Sequence, residues 1–115
     1  MNTRERLPDR RLSESFDIEI TSGRFSRRYR VTTSHFADGR LGKIFISNNK
    51  SGSDSDTAAR DSAVVCSIAL QYSAPVDVIR KALMRDSQGR PNGPLGTALD
   101  AIATGIIKNN TAASS

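Results

Sequence analysis

Few side chains in this 115-residue chain could do covalent or metal chemistry, and their spacing limits what they could do. His35 is the only histidine and Cys66 the only cysteine. A lone histidine offers a metal one bond at most, and a lone cysteine builds neither an internal disulfide nor a two- or four-thiolate zinc site. Cys66 sits among Val64, Val65 and Ile68, an apolar setting that raises a thiol pKa and suppresses reactivity. Serines are frequent, but no Gly-x-Ser-x-Gly elbow occurs, and His35 would have to act as a base from an exposed strand end. No catalytic residue, metal ligand or cofactor is assigned, and the expected role is binding.

Charge is the stronger signal. Lys and Arg outnumber Asp and Glu by 17 to 12, a net +5 that favours an acidic partner such as nucleic acid, a nucleotide or an acidic protein surface. Arg4, Arg6, Arg10 and Arg11 crowd the start beside Pro8, so residues 1–14 are read as a flexible basic arm. Two loops have residue types suited to holding an anion, because glycine lets backbone N–H groups at a helix start approach a negative group. In Lys50-Ser51-Gly52-Ser53 the following Asp54 or Asp56 would cap the helix and occupy the site instead. In the second loop, Arg85, Gly89, Arg90 and Gly93 could contact a phosphate or nucleotide, although Pro91 and Pro94 lack donors and the spacing matches no P-loop.

The positioning elements follow from hydrophobic period. SFDIEIT, residues 15–21, alternates Phe16, Ile18 and Ile20 with Asp17 and Glu19, as a half-buried strand does. A loop at Ser22-Gly23 leads to a strand in which Phe25, Tyr29 and Val31 keep that parity, so Phe16 is expected opposite Tyr29 and Asp17 opposite Arg28. A turn at Asp38-Gly39 returns the chain, placing Ile44 opposite Thr33 and Ile46 opposite Val31. The other sheet face then carries Arg28, Arg30, Lys43, Thr32 and Phe45, with Phe36 and Leu41 near the hairpin tip. Cationic and apolar groups interleaved on an open sheet suit an acidic partner or nucleic acid; cover by the arm or by a second protomer suits the same pattern.

Helices come next. From Ala63 to Leu70 only Ser67 is polar, which predicts a helix ending near Tyr72 and packed along the inner sheet face. Pro75 opens a second, with Val78, Ile79, Ala82 and Leu83 as its apolar stripe; Pro94 opens a third, with Leu95, Ala98, Leu99, Ile102 and Ile106 at helical spacing. The fold class is α+β: a three-stranded antiparallel meander followed by three helices packed on one face of the sheet. Residues 15–108 form the single domain and residues 109–115 a disordered tail. No segment reads as a signal peptide or membrane span, and the lone cysteine fits a cytoplasmic setting.

Residues 31–83 resemble the TSCPD domain found near the C-terminus of adenosylcobalamin-dependent, class II ribonucleotide reductases and in small stand-alone proteins. The resemblance rests on FADGRLGKIFI, on KSGSDSD, and on the helix pair SIALQYSAPVDVIRKAL. It implies an accessory or regulatory domain in nucleotide or nucleic-acid metabolism. The family's Thr-Ser-Cys-Pro-Asp signature is replaced here by MRDSQGRPNGPLG, without cysteine, and the reductase catalytic cysteines and cobalamin pocket belong to other domains. The expected function is therefore non-catalytic contact with nucleic acid or nucleotide through Arg28, Arg30, Lys43 and Phe45, with Arg4, Arg6, Arg10 and Arg11 adding attraction. The alternative is a protein-interaction module that homodimerises or docks onto a larger enzyme such as a ribonucleotide reductase.

Overall fold

Alternating side chains and two tight turns build a meander in the computed structural model, which describes residues 3–105; Ile106 and the tail 109–115 lie outside the described residues. Strands β1 (Ser13–Ser22), β2 (Phe25–His35) and β3 (Leu41–Ser47) pair antiparallel in the order β1-β2-β3. Helices α1 (Asp54–Gln71), α2 (Val76–Ala82) and α3 (Pro94–Ala103) follow. The α+β architecture is the expected one.

The first hairpin is shifted from its expected register. Gly23 and Arg24 form the loop, with Gly23 at φ 60, and Ser22 already pairs with Phe25. Phe16 therefore faces Val31, Ile18 faces Tyr29 and Asp17 faces Arg30. A displacement of two residues leaves every side chain on its assigned face, because strand alternation has period two. The second hairpin has the expected register, Val31 opposite Ile46 and Thr33 opposite Ile44. A bulge then interrupts it, since Ser34 faces Lys43 but His35 faces Leu41, leaving Gly42 as the extra residue. This corrects the placement of Leu41, which the bulge turns into the core beside Ile44 and Leu70.

Ala59, Ala63, Cys66 and Leu70 of α1 pack on Val31, Ile44 and Ile46. The helix also seals the outer edge of β3. The Ile44 N–H donates to Ser67 Oγ (2.9 Å), the Ser67 hydroxyl lies 3.0 Å from the Ile44 carbonyl, and Gln71 Nε2 donates to the Gly42 carbonyl (2.9 Å). A strand edge that would otherwise present free backbone groups is thus occupied by side chains. Ser53, and neither Asp54 nor Asp56, is the N-cap: its hydroxyl accepts the Asp56 N–H at 3.2 Å. The apolar run of α1 is also less buried than expected, for Val64 and Val65 are 55% and 67% exposed. On α2 the packed residues are Val76, Ile79 and Leu83, while Val78 is exposed. On α3, Leu95, Ala98 and Leu99 are buried behind Pro94.

Candidate binding site

The arm is placed by bonds at both ends. The His35 N–H donates to the Leu12 carbonyl (3.0 Å), carrying the β1–β2 ladder one step further. At the far end the Glu5 N–H donates to the Gln71 carbonyl and Arg4 Nε to Gln71 Oε1, each at 2.7 Å. Between them Leu7 and Phe36 meet over Gly42, where a Cβ would lie 2.6 Å from Leu7 Cδ2 and 2.8 Å from Phe36 Cε2. The missing side chain of Gly42 is what lets the arm cross the hairpin.

This course opens a groove of about 430 Å³ between the arm, β3 and α1. Arg4, Arg6, Arg11, Lys43 and Phe45, all named from sequence, line it together, with Val64 and Ile68 of α1. Among the described residues its one lining carboxylate is Glu5, which is taken by Arg40 at 2.8 Å, and Arg40 also holds Asp38 at 2.7 Å. The Asp38 carboxyl is held below the usual range by the Arg40 backbone N–H and guanidinium. Phe45 is 40% exposed and carries the Arg60 guanidinium 5.0 Å from its ring centroid. Arg60 is itself bound to Asp56 at 2.7 Å.

Other sequence-named residues are kept apart from the groove. Arg30 pairs with Asp17 at 3.3 Å on the outward face of β1 and β2, and Arg28 lies across from Glu19, whose carboxylate accepts the Ser26 hydroxyl. Arg10 is exposed and is not part of the groove lining. In the 84–92 loop, Arg85 forms a two-pronged bond to Asp100 (2.7 and 2.8 Å) and reaches the Gly89 carbonyl (2.9 Å). The Gln88 and Arg90 N–H groups donate to Asp86 Oδ1 at 2.8 and 2.9 Å. Those backbone bonds lower the Asp86 pKa, so the chain's own carboxylate occupies the donors a phosphate would use. Gly93 is the N-cap of α3, and Arg90 is exposed.

At the other glycine loop, Asp56 is 2% exposed. Burial alone would raise its pKa, but donors from the Asn48 N–H, the Ser47 hydroxyl and Arg60 outweigh that and hold it low. The His35 ring nitrogens lie 3.3 Å from Thr33 Oγ1 and 3.2 Å from the Gly39 carbonyl, bracing the hairpin turn. Cys66 is buried, and burial pushes its thiol up to about 11. Among the described residues, no three His, Cys, Asp or Glu side chains converge as a metal site, and no helix is long and apolar enough to cross a membrane.

Sequence reasoning missed Leu7, Arg60, Val64, Ile68 and Gln71 as groove neighbours. The pair Val64 and Ile68 had a readable signal, since four-residue spacing places them on one helix flank. Arg60 and Gln71 had none, because their roles depend on where α1 meets β3.

A family-wide comparison matches residues 4–108 to the TSCPD domain, so the match takes in most of the arm as well as the sheet and helices. The chain is similar to a Vitamin B12-dependent ribonucleotide reductase of Bradyrhizobium diazoefficiens, 34% identical over 77 residues, which are 67% of this chain and 6% of that protein. It is likewise similar to the enzyme of the same name from Agrobacterium fabrum, 34% identical over 74 residues, 64% of this chain and 6% of that one. The matched segment thus spans about 6% of the length of these relatives. No solved structure matches the chain. A three-stranded meander sealed by α1, a family match over nearly its whole length and these two relatives give one answer: the chain belongs to the TSCPD domain family.

Proposed function

We propose that the chain is a non-catalytic accessory domain, tied to the ribonucleotide reduction that its relatives' names describe, and that it works by holding an acidic partner in the groove between the arm, β3 and α1. The observation that carries this reading is the convergence of Arg4, Arg6, Arg11 and Lys43 around Phe45, with Glu5 already bound to Arg40. Cations gathered around a partly apolar surface attract anions by Coulomb forces and by release of the ligand's counterions. Nucleic acid or a nucleotide is one ligand of this kind. Docking onto a protein is the second reading, favoured by the exposure of Val64 and Val65 beside the groove.

Fluorescence anisotropy with a labelled single-stranded oligonucleotide and a labelled poly-glutamate peptide tests the acidic-partner reading. Binding by at least one probe is expected. For the oligonucleotide, neutralising four phosphates would make affinity fall roughly as the third power of salt concentration. Arg4→Glu with Arg6→Glu should abolish binding, whereas Arg28→Glu with Arg30→Glu should leave most of it. The opposite pattern would move the site to the outward face of β1 and β2.

A further inference from the structure

The groove is lined by two kinds of surface, and a single ligand has to satisfy both. One wall is cationic, from Arg4, Arg6, Arg11 and Lys43. The other is aliphatic, where Val64 and Ile68 stand one helical turn apart and Val65 continues the patch at 67% exposure. Contiguous exposed apolar surface rimmed by charge marks an interaction site. Resting on the acidic-partner reading above, we infer that the occupant is a protein segment carrying acidic and apolar side chains together, which lays its apolar side on Val64, Val65 and Ile68 and its carboxylates against the arm.

Three other occupants fit less well. Unpaired bases gain their affinity by stacking on aromatic rings or guanidinium planes. The guanidinium planes of the arm and Phe45, whose ring already carries Arg60, could serve a base, but the aliphatic wall of Val64, Val65 and Ile68 offers no such plane and would be left unfilled. A second copy joined about a two-fold axis sets the cationic wall of Arg4, Arg6, Arg11 and Lys43 either against its own equivalent, where like charges repel, or against the α1 flank of the other copy. The facing flank of α1 offers Asp61 as a counter-charge, one carboxylate against four cations. The chain's own last residues, 106–115, carry Lys108 and no acidic side chain, so their composition does not complement the cationic wall. A segment with acidic groups on one side and apolar groups on the other complements both walls.

The test uses three labelled probes of equal charge: a helical Glu/Leu peptide with its leucines on one face, a Glu/Ser peptide, and a single-stranded oligonucleotide. The Glu/Leu peptide should bind at least tenfold more tightly than either of the others. Val64→Ser with Ile68→Ser should erase that advantage and leave Glu/Ser affinity unchanged. Val65→Ser, at a site too exposed for folding to depend on it, should reduce it severalfold, with melting temperature confirming that each variant is folded. Equal affinity for all three probes, or preference for the oligonucleotide, would overturn the inference while leaving the acidic-partner reading in place. Binding of no probe would overturn both. A concentration-dependent dimer in light scattering, abolished by Val64→Ser with Ile68→Ser, would assign the patch to a second copy and overturn the inference as well.

Discussion

Two basic regions of this domain use their charge in opposite ways. On the outward face of β1 and β2, Arg30 is paired with Asp17, and Arg28 lies across from Glu19, whose carboxylate accepts the Ser26 hydroxyl. In the groove the arm brings arginines to Lys43 and Phe45, and the one lining carboxylate is turned to Arg40 outside the cluster. A net charge counts cations; only the fold decides which of them are left without a counter-ion. The same contrast separates the groove from the 84–92 loop, where Asp86 and Asp100 occupy the donors and the guanidinium that looked suited to phosphate.

The comparison can be broken in several ways, and acid should do so most broadly. The Asp56 and Asp100 carboxyls have lowered pKa values: at Asp56 the donors overcome burial, and at Asp100 the Arg85 bonds lead. A folded pKa below the unfolded one gives stability that is complete above the unfolded carboxyl range and lost as pH falls through the folded value. Melting temperature should therefore be flat near neutrality and drop below about pH 4, the ordinary carboxyl range. Asp56→Asn should flatten that drop; an unchanged profile would remove Asp56 from the account. Ser67→Ala comes next, because it strips the Ile44 N–H of its partner at the sealed edge. A loss of about 1–3 kcal/mol is expected in urea unfolding, the cost of a buried unpaired polar group.

Gly42→Ala should act more gently on stability and more sharply on the site. The added methyl would meet Leu7 Cδ2, which can swing away, and the buried Phe36 ring, which has less room to move, so about 1–2 kcal/mol is expected. Displacing Leu7 should loosen the arm, which limited proteolysis within residues 3–12 would report, and should weaken groove binding while leaving Arg28 and Arg30 as they are. The smallest effect belongs to Asp17→Asn. The Asp17–Arg30 pair is exposed, and breaking it should cost no more than about 1 kcal/mol. It should nonetheless raise nonspecific affinity for an oligonucleotide at low salt, because Arg30 loses its counter-ion. If that gain exceeded the loss from Arg4→Glu, the two regions would have to exchange roles.

Much of the fold was legible because it depends on local periods. Alternation assigned Ile18, Tyr29, Val31, Ile44 and Ile46 to one face correctly even though the first hairpin was mis-registered by two, since parity survives such an error. Pro94 and the stripe after it gave α3 for the same reason. Leu41 was misassigned because a bulge depends on how the hairpin closes, and nothing in FADGRLGKIF announces which residue will be extra. The exposed flank of α1 was not legible, because Ala63 to Leu70 contains a single polar residue, and that residue, Ser67, is itself buried. The candidate site was half legible. Composition and strand parity pointed to Arg4, Arg6, Arg11, Lys43 and Phe45, but their convergence, with Arg28 and Arg30 outside the groove lining, depends on the path of the arm.

The far end of that path is gathered at one residue. Gln71 accepts the Glu5 N–H at its carbonyl and Arg4 at its side-chain oxygen, and its side-chain nitrogen donates to Gly42. Arm, helix end and strand edge therefore share a clasp, and ordering any one of them favours the other two. Thermodynamic reciprocity then requires that a ligand gripping the arm slow amide exchange along the last turn of α1, and that a mutation fraying that turn weaken the ligand by the same factor. The end of a helix on one side of the sheet becomes a reporter for occupancy of a groove that the helix only partly lines.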